Sequence, residues 1–249
     1  MADVHEFKPG DFSFLPSPGG PFSNGVRASP GFALHRARFA HPVPMAEGFE
    51  RIERHLKQLG RPLTALAGCE LRSPKPMSVA EFQAFNEHYQ KTLHRWGCRS
   101  GELNAPARSN LAPITEIPAE ASFFAFTYTV PEAGADGDFL ISGLPEIRAD
   151  APAAERSFGG LDVSLKGLAA KARFVMDGLR ARVDALGCRW VDVSAAGVYT
   201  VHDFRPVLED LFAELGISQI GVALYPAWPP VTGFHFEVDV RRVRTELVV

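Results

Sequence analysis

What most constrains the fold of this 249-residue chain is an order of elements that it runs through twice. In the first pass, residues 24 to 40 read as two short strands around a Ser-Pro-Gly turn, with Phe32, Leu34 and Phe39 facing a core. Met45, Phe49, Ile52, Leu56 and Leu59 then fall at the three-to-four spacing of an amphipathic helix, and Gly60 is placed to end it. A mostly apolar strand covers Leu63 to Leu71. Ser78 and Glu81 form a capping-box pair at the start of a second helix that runs to Trp96. Strands at Ser109 to Ile114 and Ser122 to Val130 close the first pass. From about residue 137 the order begins again, with a strand at Asp138 to Ser142, a helix from Ser164 to Leu186 and a strand at Trp190 to Val201. A helix at Asp203 to Leu215 and strands at Gln219 to Tyr225 and Gly233 to Val243 follow. Two β-β-α-β-α-β-β units predict a duplicated α+β domain, each copy a β-sheet with helices on one face.

The expected boundaries follow from composition. Residues 1–20 are dense in Pro, Gly and Phe and are expected as an extended arm, with a first domain over 21–130. The segment PEAGADGD, residues 131–138, suits a surface linker, and 139–249 makes the second domain.

A formal net charge of −3, with both signs interspersed, offers no basic stripe for nucleic acid and no polybasic segment for anionic lipid. No apolar run approaches the ~18 residues of a membrane span. MADVHEFKPGDF carries acids where a signal peptide needs positive charge, so a cytoplasmic location is expected. Cys69, Cys98 and Cys188 are odd in number, far apart and without zinc-ligand spacing, and read as reduced thiols. The chain has no GxGxxG, P-loop, HExxH or GxSxG, so an enzyme here is expected to work without cofactor or metal.

Two segments of the first half carry a family resemblance. Residues 19 to 26, GGPFSNGV, look like a G-P-Y-S-x-A-V strand entry, and Pro106-Ala107-Arg108-Ser109, followed by an apolar strand, resembles a P-A-R-[ST] signature. In the second half Phe139-Leu-Ile-Ser-Gly143-Leu-Pro145, Val198-Tyr-Thr-Val-His-Asp-Phe204 and Phe234-His-Phe-Glu-Val-Asp-Val240 are more distant copies of strands in the same family. The chain thus resembles a fusion of two domains of the RidA or YjgF superfamily, chorismate-mutase-like in fold and trimeric, with sites between subunits. The resemblance implies that Arg108 pairs with a substrate carboxylate and that a last-strand acid helps position the hydrolytic water. Phe124 and Phe126 stand where the first half would need that acid, whereas the second half keeps Glu237 and Asp239 but has no arginine in Tyr225-Pro-Ala-Trp-Pro-Pro230. One site per chain centred on Arg108 is therefore expected, with Glu237 and Asp239 in catalysis, and with Ser109, Phe22, Phe124 and Phe126 contacting substrate.

The chemistry fits those residue types. A planar guanidinium offers parallel N–H donors to a carboxylate, which fixes orientation as well as charge. Strand acids that alternate with apolar residues are ordinarily just solvated, and a lone strand-end arginine is ordinarily paired locally. His202 reads either as a proton shuttle or as a neighbour of the helix-capping Asp203. Family members of this length with a degenerate second half act on 2-aminomuconate or its chloro-substituted form, in nitro- and aminoaromatic degradation. The resemblance therefore implies hydrolysis of a flat enamine dicarboxylate to 2-hydroxymuconate and ammonia, in a homotrimer. A dicarboxylate calls for a second polar contact, for which Arg27, Arg36, Arg38 and Ser109 are candidates. A general 2-imino acid deaminase and a non-catalytic binder of small ligands remain the alternatives.

Overall fold

The computed structural model describes residues 3–17, 19–148, 150–152, 155–216 and 220–249. In chain order the elements are β1 (His5–Phe7), β2 (Phe12–Leu15), β3 (Gly25–Ala28), β4 (Phe32–Pro44), α1 (Met45–Gln58), β5 (Leu66–Arg72) and α2 (Val79–Arg95). The short β6 (Arg99–Ser100) and β7 (Leu103–Asn104) lead to β8 (Ala107–Pro113) and β9 (Ser122–Pro131). The second half holds β10 (Phe139–Pro145), α3 (Leu165–Ala185), β11 (Ala195–Tyr199), α4 (Arg205–Leu215), β12 (Val222–Tyr225), β13 (Ala227–Trp228), β14 (Glu237–Arg242) and β15 (Thr245–Val248). The capping box at Ser78 and Glu81 is formed, with Ser78 Oγ accepting from Glu81 N and Glu81 Oε2 accepting from Ser78 N. Gln219, with which one expected strand begins, lies outside the described residues.

The repeated order of elements produces the same sheet twice. One sheet contains the run β4-β9-β5-β8 and the other the run β10-β14-β11-β12. In both runs the first strand is antiparallel to the last, the last is antiparallel to the second, and the second is parallel to the third. A parallel pair needs a long crossover, and α2 and α4 supply it in the two halves. The chain is thus α+β, as expected.

Sheet membership nevertheless does not follow the division at residues 131–138. Strands β1, β2 and β3 extend the second-half sheet beyond β10, while β13 and β15 add to opposite edges of the first-half sheet. Residues 5–15, expected as part of an extended arm, form an antiparallel hairpin in register from His5–Phe14 to Phe7–Phe12. Phe7, Phe12 and Phe14 pack in one cluster with Leu34, Ala67, Ala107 and Leu140. Each buried phenylalanine contributes roughly 1.5–3 kcal/mol, enough to order a segment whose Pro and Gly content argues for a loop. Residues 24 to 40, expected as a hairpin, are instead split between sheets. The turn at Ser29-Pro30-Gly31, with Gly31 at φ 84°, carries the chain from β3 in one sheet to β4 in the other.

The sheets lie face to face with helices outside. One outer core gathers Phe49, Ile52, Leu56, Tyr89 and Leu93 of α1 and α2 on Leu71, Phe123 and Phe126. The other gathers Leu168, Val175, Leu179, Val183 and Leu211 of α3 and α4 on Ile141, Val198 and Val238. On the inner faces Ser109 Oγ donates to Asp239 Oδ2 across the sheets at 2.7 Å. Arg36 and Glu70 pair side by side, with Arg36 Nε to Oε1 at 2.6 Å and a second nitrogen to Oε2 at 2.7 Å. Among the described residues no helix is long and apolar enough to cross a membrane.

Candidate active site

Strand β8 alternates its side chains between the two faces of its sheet. Ser109 and Leu111 face the second sheet, whereas Arg108 faces α2. The Arg108 guanidinium lies over the rings of Phe22 at 4.3 Å and Tyr89 at 4.7 Å, with Phe82 and Phe85 at 5.4 and 5.5 Å. The residue is 2% exposed, and among the described residues none of its three guanidinium nitrogens has a hydrogen-bond partner. Burial pulls its pKa down to about 10, against the pull of neighbours that include Glu237, so it remains a cation at neutral pH.

Arg108 lines a cavity of about 480 Å³ between the halves, within the range of small-molecule sites. Its other walls include Phe22 and Asn24 from the N-terminal segment, Phe82 of α2, Gly143 to Pro145 of β10, Arg182 of α3, Phe234, and Glu237 of β14. Glu237 reaches the cavity because β14 starts there and alternates, sending Phe236, Val238 and Val240 to the helices and Glu237 and Asp239 between the sheets. Burial first, then the carboxyls of Asp239 and Glu146, push Glu237 well above the usual carboxylate range, with Arg108 and Arg72 pulling the other way. Its Oε2 has no hydrogen-bond partner among the described residues. Asn110 Nδ2, on the same strand as Arg108, is likewise buried and unpartnered, while Asn110 Oδ1 accepts from Ser73.

The fold thus gathers Arg108, Glu237 and Phe22 around one cavity. Ser109 and Asp239 stand behind it. Ser109 Oγ accepts from Gly143 N at 3.2 Å while donating to Asp239, and Tyr199 Oη donates to the same Asp239 oxygen at 2.8 Å. Together these bonds tie β8, β10, β11 and β14 at the cavity floor. Phe124 and Phe126 are not cavity residues. A bulge in β9 sets Phe123 opposite Leu71 but Ala125 opposite Glu70, so Phe124 falls out of the simple alternation. Phe126 packs in the core under α1, and Phe124 sits against Arg72 at 4.1 Å and Tyr225.

His202 contacts His235, Nε2 to Nδ1 at 3.2 Å, and is not among the residues lining the cavity. The candidates for a second substrate contact also lie elsewhere. Arg27 bonds Gly187 O and Asp136, Arg36 is held by Glu70, and Arg38 donates to Phe39 O. Sequence reasoning missed Arg182. Its signal was a cation within the apolar helix face that carries Leu179, Val183 and Leu186.

Deeper in the second half, Glu146 accepts from the backbone N–H groups of His235 and Phe236 at 2.7 and 3.0 Å and lies 3.4 Å from Lys171 Nζ. Lys171 also donates to Phe158 O and Gly160 O. These bonds fix the chain on both sides of the cavity mouth and the start of the strand that bears Glu237.

Residues 4–247 match the family model described as 2-aminomuconate deaminase CnbZ. The chain is 38% identical over 252 residues to the 2-amino-5-chloromuconate deaminase of Comamonas testosteroni, with the whole of both chains covered. Among solved structures it resembles the YjgF gene product of E. coli at 22% identity, over 43% of this chain and 81% of that one, with a TM-score of 0.31. It also resembles a chorismatase at 13% identity, over 88% of this chain and 77% of that one, with a TM-score of 0.46.

Proposed function

The chain belongs to the 2-aminomuconate deaminase family, and from that premise we propose that it hydrolyses 2-aminomuconate, or a chloro-substituted form, to 2-hydroxymuconate and ammonia without a cofactor. The observation that carries this reading is the Arg108 guanidinium, buried and unpartnered on a cavity that also holds Glu237. An uncompensated buried cation is costly to maintain, and its natural complement is an anionic ligand.

Arg108 takes the carboxylate next to the amino-bearing carbon in a bidentate pair, and Phe22 flattens against the conjugated chain. Glu237, held protonated by its surroundings, donates its proton to the carbon chain and converts the enamine to an iminium ion. The carboxylate so formed accepts a proton from water as the water oxygen bonds to the C=N carbon. The hydroxyl proton of the adduct passes to nitrogen as the C–N bond breaks, which releases ammonia and leaves the 2-oxo tautomer of 2-hydroxymuconate, and Glu237 ends protonated as it began. Acid–base help of this kind is worth about 10²- to 10⁴-fold. Ser109 and Asp239 position the cavity floor rather than meet the substrate.

The reading also includes a homotrimer and a place in the breakdown of nitro- or aminoaromatic compounds, which rest on the family resemblance, and a cytoplasmic location, which rests on the N-terminal composition and the widely spaced cysteines. Light scattering tests the first, and a monomer would remove it. Ammonia release from freshly generated 2-aminomuconate, compared with 2-iminobutyrate and repeated with Arg108→Ala, tests the activity. Turnover of the dicarboxylate that is lost in the variant supports it. Turnover of neither substrate would favour a binding protein.

A further inference from the structure

We infer that Arg182 is the second anion anchor of the cavity and sets its preference for dicarboxylates over monocarboxylates, an inference that rests on the proposed deaminase reading. Arg182 projects from α3 in the second half, whereas Arg108 comes from β8 in the first, so two cations from different halves line one cavity. The two meet around Ser142. Arg108 N donates to Ser142 Oγ at 3.0 Å, and Arg182 Nη1 reaches Ser142 O at 3.4 Å.

That long contact to a carbonyl is the one hydrogen bond the Arg182 side chain makes among the described residues, and it leaves most of its donors free. Elsewhere in the fold arginines with access to an acid take it, as Arg36 does with Glu70, Arg61 with Asp11 and Arg173 with Glu214. Arg182 has no such partner among the described residues, and burial lowers its pKa to about 10, with Glu237 pulling it back up. Glu237 acts on both arginines, and its own preference for the protonated form leaves the empty cavity with an excess of positive charge. A dianion with its charges at its two ends is the ligand that neutralises this arrangement, and a monoanion leaves one cavity guanidinium without a counter-charge. The remaining walls, Phe22, Phe82, Leu144, Val231 and Phe234, suit an apolar chain between the two ends.

The test uses two stable probes that share a six-carbon diene. trans,trans-Muconate carries a carboxylate at each end, and trans,trans-sorbate has a methyl group in place of one of them. Their affinities are measured by calorimetry in the wild type, Arg182→Leu and Arg108→Leu, and also as competitive inhibition of 2-aminomuconate turnover in the first two. Arg182→Leu is expected to weaken muconate by about 10- to 100-fold, as for loss of a charge-assisted pair, and to leave sorbate within about 2-fold. Arg108→Leu is expected to weaken both probes. If Arg182→Leu keeps the wild-type ratio of muconate to sorbate affinity, the assignment of Arg182 is overturned. If Arg108→Leu leaves both affinities unchanged, it is the underlying deaminase reading that fails instead. Should Arg182→Leu fail to fold, Arg182→Lys and Arg182→Gln read the same property. Lysine is expected to retain a preference for muconate and glutamine to lose it, and equal ratios in the two variants would overturn the proposal.

Discussion

Gly143 and Glu237 occupy touching positions on paired strands, with the Glu237 carboxyl in the space that a side chain at 143 would fill. The sequence Ile-Ser-Gly in β10 therefore sets where the acid of β14 can stand. Gly143→Ala is expected to displace that carboxyl and to lower kcat by about 10- to 100-fold, with little change in secondary structure. Steady-state ammonia release and circular dichroism check the two halves of this expectation, and full activity in the alanine variant would mean that the carboxyl position is not critical.

Arg108 sits where stability alone would not place it, since three buried nitrogens lack partners. Arg108→Met keeps most of the volume and removes the uncompensated charge. Its melting temperature is expected to rise, by the ~2–4 °C per kcal/mol typical of a chain this size, while kcat/KM falls at least about 10³-fold. Calorimetry alongside activity distinguishes this trade from ordinary damage, in which both would fall.

Glu237 gives a pH signature whose sign can be worked out. Its folded pKa is raised above the unfolded value, so between those two values the folded state binds more protons than the unfolded state. The contribution of Glu237 to stability therefore declines as pH rises through that window. Glu237→Gln removes this cost, and the stability difference, variant minus wild type, is expected to grow from pH 4 upward. Activity is expected to fall about 10²- to 10⁴-fold. Urea unfolding at a series of pH values checks the trend, and a difference that shrinks with pH would contradict it.

Glu70 behaves in the opposite sense. Burial works against its charge, but the Arg36 guanidinium wins and holds it down to about 2. Its stabilising effect is present above the unfolded glutamate pKa of about 4.3 and is lost as pH falls toward 2. Glu70→Gln leaves Arg36 buried and only partly compensated by Glu246 at 3.4 Å. It is expected to cost about 3–5 kcal/mol at neutral pH, with a penalty that shrinks on acidification. Thermal unfolding of both proteins at pH 7 and pH 3 tests this.

Elements governed by local rules were readable in the chain itself. The capping box at Ser78 and Glu81, the helical spacing from Met45 to Leu56 and the glycine stop at Gly187 depend on neighbours a few residues apart, and each appears within a residue or two of its expected place. The proposed catalytic pair was half legible. Arg108 lies in a short motif, whereas whether Glu237 faces solvent or a cavity depends on what lies across from β14.

The order of elements by itself determined that the same four-stranded run forms twice, because each crossover helix dictates which strands can lie parallel. Only the tertiary structure decided which strands join which sheet, where β9 bulges, and that Arg182 meets Arg108 around one cavity. Those outcomes come from packing between segments more than 100 residues apart, as where Ser109 meets Asp239. Backbone edges and apolar faces pair with whatever surface is brought opposite them, and no local pattern of residues encodes that partner.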